Sequence, residues 1–107
     1  MDKFNLDGMM EFGDQFVLKR IADVPETQIN LVTLPPGQAL PAHNANSNVR
    51  LLPLKGEIAV TIHGAKNKLG VHEMASVTVG TPMQISNESA SHAAFLVIKT
   101  PNPSEIG

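Results

Sequence analysis

Apolar and polar residues alternate with period two along much of this chain, the pattern of strands that turn one face to a core. Residues 27–34 put Ile29, Leu31 and Thr33 on one face, and residues 57–62 put Ile58, Val60 and Ile62 on one face. Shorter or more continuous apolar runs at 16–21, 49–55, 68–71, 75–79, 83–87 and 93–99 read as further strands. Breakers separate them: Pro25-Glu26, Pro35-Pro36-Gly37, Gly56, a hairpin turn over 63–67, His72-Glu73, Gly80-Thr81-Pro82 and the polar loop 87–91. Proline cannot donate to a sheet ladder, so the Pro-Pro-Gly run ends its strand sharply. No stretch shows a helical period. Many short strands punctuated by Gly and Pro predict an all-β sandwich or barrel, with Ile58, Val60, Phe95 and Val97 in its buried apolar surface. Residues 1–15 read as an arm, with a disordered terminus as the alternative. Residues 16–101 read as the barrel, and 102–107 as a tail after Pro101 and Pro103.

A length of 107 residues fits one domain with a modest core. Only 17% of residues are charged and the net charge is −2, which leaves no basic stripe. Without Trp or Tyr to stack on bases, nucleic acid is not an expected partner. The chain has no Cys, which excludes a disulfide, a thiolate nucleophile and a thiolate metal site. That fits a reducing cytoplasm, the expected location, as does a beginning with no apolar secretory run. No segment approaches the roughly 18 apolar residues of a membrane helix, so no membrane association is expected. The apolar arm residues Phe4, Leu6, Met9, Met10 and Phe12, together with exposed sheet edges, lead us to expect a twofold homodimer. Residues of about 4–22 would then cross to, or pack along, the neighbour.

Two motifs carry a resemblance. Gly37 stands six positions before His43, which is followed by Ala45, Val49 and, seven after Val49, Gly56. Further on, Gly80-Thr81-Pro82-Met83-Gln84-Ile85-Ser86-Asn87 forms a second block. In spacing these resemble the two motifs of small single-domain cupins, over about residues 27 to 101. The resemblance implies a jelly-roll barrel, the cupin double-stranded β-helix, with a pocket in its mouth and frequent pairing through N-terminal strands. It departs from the family along the second motif, where Thr78 replaces a proline and His72-Glu73 replaces a Gly-Asp turn.

In metal-binding cupins the four ligand positions are His, His, Glu and His. Here the corresponding residues are His43, Ala45, Val49 and Met83. Ala45 and Val49 have no donor atom, and the Met83 thioether suits soft Cu(I) better than harder ions. No metal and no cofactor is expected on ligand count. The expected pocket residues are His43, Ala45, Val49, Met83 and Ile85, an apolar interior that takes a small apolar or mixed ligand, or that has closed into core. His43 is the one candidate for catalysis, flanked by Asn44, Asn46 and Asn48 rather than by an orienting acid. His63 and His72 fall in turns, and His92 at an exposed loop end beside the last strand. The expected function is a metal-independent binding or interaction module. Two alternatives remain: a small enzyme, an isomerase or lyase using His43 or an oxygenase with a displaced metal, and a sensor acting through a partner.

Overall fold

The structure, a computed structural model, describes residues 1–106. Nine strands follow one short helix, α1 (Leu6–Met9): β1 (Val17–Val24), β2 (Thr27–Leu34), β3 (His43–Asn44), β4 (Asn48–Lys55), β5 (Ile58–Ile62), β6 (Ala65–Leu69), β7 (Ala75–Val77), β8 (Pro82–Ser86) and β9 (Ala93–Thr100). They form a five-stranded sheet in the order β1-β2-β9-β4-β7 and a four-stranded sheet in the order β3-β8-β5-β6. Every pairing is antiparallel. The all-β expectation and the jelly roll therefore stand. The two-residue strand β3 and the helix α1 had no signal in the apolar pattern; a single turn is too short to show a period. Asn5 starts that turn by accepting a hydrogen bond from the Gly8 amide.

The sheets close on one core. Val32 and Leu34 of β2, Leu51 of β4, Ile58 and Val60 of β5, Ile85 of β8 and Phe95 of β9 are buried in it, and Val97 packs against it half-buried. Ile29, Leu31 and Thr33 do share a face, but the cavity-facing side of β2 is the other one, through Asn30 and Val32. Both faces of that strand are covered, so apolar residues occur on each and the alternation does not say which points inward. Gly56 joins β4 to β5 with φ +71°, and a Cβ there would lie 2.7 Å from the His92 carbonyl oxygen, so only glycine fits. Asn87 is a second fixed point. Its fully buried amide donates to the Leu34 and Ser91 carbonyls and accepts from Ser89, which ties the end of β8 to β2.

Residues 1–15 are not loose. The Glu11 carbonyl accepts from the Thr33 hydroxyl, the Asp14 carbonyl from Gln38, and the Gly13 carbonyl from His92 Nε2 at 2.9 Å. Phe12 meets the His92 ring edge-on, with the Lys55 ammonium 4.5 Å from the Phe12 ring centre. The arm thus lies on the outer face of its own five-stranded sheet, with Phe4 and Leu6 beside Ile21, Ile29 and Leu96. His92, expected at an exposed loop end, is half-buried under this arm. Downstream, residues 103–105 form a 3₁₀ turn. Buried Asn102 anchors it to Asp23 and to the Val24 carbonyl, so this tail is held at the barrel's end.

Candidate functional site

Between the sheets, at the open end of the barrel, lies a cavity of about 140 Å³. The β3–β8 register sets His43 opposite Met83, and the β8–β5 register sets Met83 opposite Ile62. From the facing sheet, β4 contributes Val49 and Leu51, and β9 contributes Val97 and Lys99. Of the residues singled out in the sequence, His43, Val49, Met83 and Ile85 line this one cavity. Ala45 is buried in the adjoining core without lining it; its backbone holds the Gly80–Thr81 turn through two hydrogen bonds. His63 and His72 are exposed in turns with positive φ. His63-Gly64 is a two-residue hairpin turn with both φ positive, as type I′ requires.

His43 reaches the cavity from an exposed strand end. Its Nδ1 lies 3.1 Å from the Pro41 carbonyl oxygen. A carbonyl can only accept, so Nδ1 carries the proton in this contact, and in the neutral ring Nε2 keeps a free lone pair. The orienting group is a backbone carbonyl and not a carboxylate. Across the cavity, Val49 and Met83 present hydrocarbon and a thioether, each only 4% exposed. Among the described residues no group of three or more His, Asp or Glu side chains comes together as a metal would need. One imidazole with one thioether does not fit a divalent metal of the cupin type.

The polar end of the cavity was not visible in the sequence. Lys99 and Asn30 line it from β9 and β2. Arg20 of β1 donates from Nε to Asn30 Oδ1 at 3.0 Å, and Asn30 Nδ2 donates to Gln28 Oε1 at 3.4 Å. Asn30 and Gln28 are buried, and this chain of hydrogen bonds satisfies them. Burial lowers the Lys99 amine from its usual 10.5, and the charge of Arg20 lowers it further. Arg20 has one acidic neighbour, Asp23 at 3.9 Å, with both side chains about half exposed. Among the described residues no carboxylate pairs with Lys99. The only signal that could have found this pair was the polar character of Asn30, Gln28 and Lys99 at inward positions of strands otherwise apolar.

A nine-stranded antiparallel barrel with a cavity at one end, gripped between a first-motif histidine and a second-motif strand, defines a double-stranded β-helix. The relatives agree. An uncharacterized protein of Methanocaldococcus jannaschii is 29% identical over 91 residues, 84% of this chain and 78% of its own. Its crystal structure, that of an RmlC-like cupin family protein with a double-stranded β-helix fold, superposes with a TM-score of 0.80 at 28% identity, covering 90% of this chain and 92% of that one. A Thermus thermophilus protein gives a TM-score of 0.84 at 25% identity, over 94% of this chain and 98% of its own. An RmlC-like cupin from Desulfovibrio desulfuricans shares the fold, with a TM-score of 0.79 at 22% identity over 92% and 96% of the two chains. No protein-family model matches the chain. This protein has the fold of the RmlC-like cupins. Among the described residues no helix is long and apolar enough to cross a membrane.

Proposed function

We propose that this chain is a metal-independent cupin barrel that binds a small molecule in the cavity between His43, Val49 and Met83. One observation carries the reading: three of the four positions that hold metal in the related motifs surround an open space here, and two of those three are hydrocarbon or thioether. A mostly apolar cavity with a few converging polar groups is the usual form of a small-molecule site. Its size suits a compact ligand, since about 10–15 Å³ of such space holds one water-sized group. The free Nε2 of His43 would accept a hydrogen bond from the ligand.

The test is a methionine-methyl NMR titration. Met83 reports from the cavity wall, and Met83→Leu identifies its signal. Small apolar and mixed compounds should shift it saturably, and Val49→Phe, which fills the cavity, should abolish the shift. A ligand at a hundredfold excess over Kd adds about 2.7 kcal/mol of stability, easily seen as a rise in Tm. Micromolar Fe, Mn, Ni or Zn should leave Tm unchanged. A metal-induced rise that His43→Ala removes would overturn the reading, as would a Met83 signal that no compound moves.

The same proposal includes a twofold homodimer. Strand β1 is an edge strand with unpaired backbone groups, and Phe16, Leu18 and Val24 on or beside it are each 46% exposed. Pairing edge to edge would satisfy that backbone and cover those side chains.

A further inference from the structure

We propose that the cavity takes a small carboxylate with a short apolar tail, its head group at Lys99 and Asn30, beside Arg20, and its tail against Val49, Met83 and Ile85. This rests on the reading of the cavity as a ligand site and names the class of ligand.

Lys99 lines the polar end, Arg20 stands behind Asn30 outside that lining, and the empty barrel gives the two cations little in return. Apart from Asn30 and His43, the wall around Lys99 is apolar, with Leu18, Val49 and Val97 in it, and no carboxylate pairs with Lys99 among the described residues. Burial, then the charge of Arg20, disfavour the Lys99 ammonium. The one acid nearby, Asp23, is at long range from Arg20 and half exposed, where an ion pair contributes little. Asn30 spends its carbonyl oxygen on Arg20, and Gln28 spends its own on Asn30. Each of those acceptors therefore already holds a donor, while the Lys99 ammonium has no carboxylate and the Arg20 guanidinium has only the distant Asp23. A half-buried cation pair with spare donors raises the free energy of the empty barrel and lowers that of a barrel holding an anion.

The rest of the wall selects among anions. A carboxylate concentrates its charge at one end, toward the Lys99 ammonium and the nearby Arg20, and leaves the remainder of the molecule free to be hydrocarbon. A phosphate would turn polar oxygens toward Val49, Met83 and Ile85, where nothing satisfies them. The 140 Å³ of space admits about ten non-hydrogen atoms at most, a short-chain or branched acid rather than a fatty acid. His43 lines the same wall and its Nε2 keeps a free lone pair, so a hydroxyl on the tail would find an acceptor there.

The experiment titrates the full chain, followed at the Met83 methyl signal, with 3-methylbutanoate, 3-methylbutan-1-ol and inorganic phosphate at constant ionic strength and neutral pH. The acid should bind about tenfold more tightly than the alcohol, the worth of one partly screened charge contact. Lys99→Met should remove that preference, Arg20→Met should reduce it, and both should leave the alcohol bound as before. Without ligand, Lys99→Met should melt above the parent, because it removes a desolvated cation; lost acid binding is then not lost folding. Three results overturn the inference while leaving the cavity reading intact: the alcohol binding as tightly as the acid, phosphate binding as tightly as the acid, or the acid preference surviving in both variants. A Met83 signal that neither organic compound moves overturns the cavity reading and this inference with it.

Discussion

Val49 occupies the position where the related motif carries a carboxylate, and it is the direct cross-strand partner of Lys99. Both side chains line the cavity, so Val49→Glu would set a carboxylate beside an unpaired ammonium. Directly opposed residues have Cβ atoms about 4.5–5.5 Å apart, near enough for the two head groups to meet. Two unit charges about 4 Å apart attract by about 4 kcal/mol at the effective dielectric of a protein surface; the solvent reaching half-exposed Lys99 reduces that to about 2 kcal/mol. A carboxylate buried at the same place without its partner costs about 3–5 kcal/mol. Val49→Glu alone should therefore lose about 1–3 kcal/mol, and Val49→Glu in a Lys99→Met background about 3–5 kcal/mol. Urea unfolding of the parent, both single variants and the double variant gives the coupling directly, about 2 kcal/mol. The same pair governs reconstruction of a metal site. Ala45→His, Val49→Glu and Met83→His together should bind Ni or Zn, and adding Lys99→Met should tighten that binding, because the ammonium no longer competes for the new carboxylate. A coupling below about 0.5 kcal/mol would show that Lys99 does not face position 49, and would refute the polar end of the cavity as described.

Three further outcomes follow from the same structure. Burial, then Arg20, hold the folded Lys99 amine below 10.5, so between its folded value and 10.5 the unfolded chain binds more protons and stability rises with pH; Arg20, Asp23 and His43 are the other charged or titratable groups around it, the chain has no Tyr or Cys to titrate in that window, and urea midpoints of Lys99→Met should lack the rise. Gly56→Ala should lose more than about 2 kcal/mol, from a left-handed alanine and a Cβ 2.7 Å from the His92 oxygen, and an unchanged Tm would refute the turn as described. Deleting residues 1–15 removes the acceptors of Thr33, Gln38 and His92, about 1 kcal/mol each, and should lower stability by about 2–3 kcal/mol without changing ligand affinity at Met83; light scattering of the truncated protein should still show a dimer if pairing runs through β1.

Much of the fold was legible because its signals are local. Pro35-Pro36-Gly37 ends β2, Gly56 turns β4 into β5, and the alternation of Ile58, Val60 and Ile62 marks β5 as a strand with one face inside. The part of the cavity that the motifs contain was legible for the same reason: His43 and Val49 flank one loop, and Met83 and Ile85 sit on one strand. Elements without a period were not. Strand β3 is two residues long, α1 is one turn, and the docking of the arm depends on backbone carbonyls at Glu11, Gly13 and Asp14 that any residue could supply. The inward face of β2 was not legible either, because Leu31 is as buried on the outer face as Val32 is on the inner.

The polar end of the cavity was hidden for a different reason. Arg20 and Asn30 face each other across one hairpin while Lys99 lies far downstream, and none belongs to a motif; only the order β1-β2-β9 brings all three side by side. That order also explains how the site can exchange one chemistry for another. In the motif the charge that matters is an acid on β4, and it faces a metal held by imidazoles. Here β4 carries valine, and the charge appears on the next strand as a cation at the opposed position. On the ligand class proposed above, an acid at position 49 would favour a metal ion, whereas a cation at position 99 favours an anion. The reversal needs no change in strand order, because antiparallel register keeps positions 49 and 99 opposed whichever of them is charged. The ligand positions alone therefore register only donor atoms that are absent, whereas their cross-strand partners add the cation at position 99.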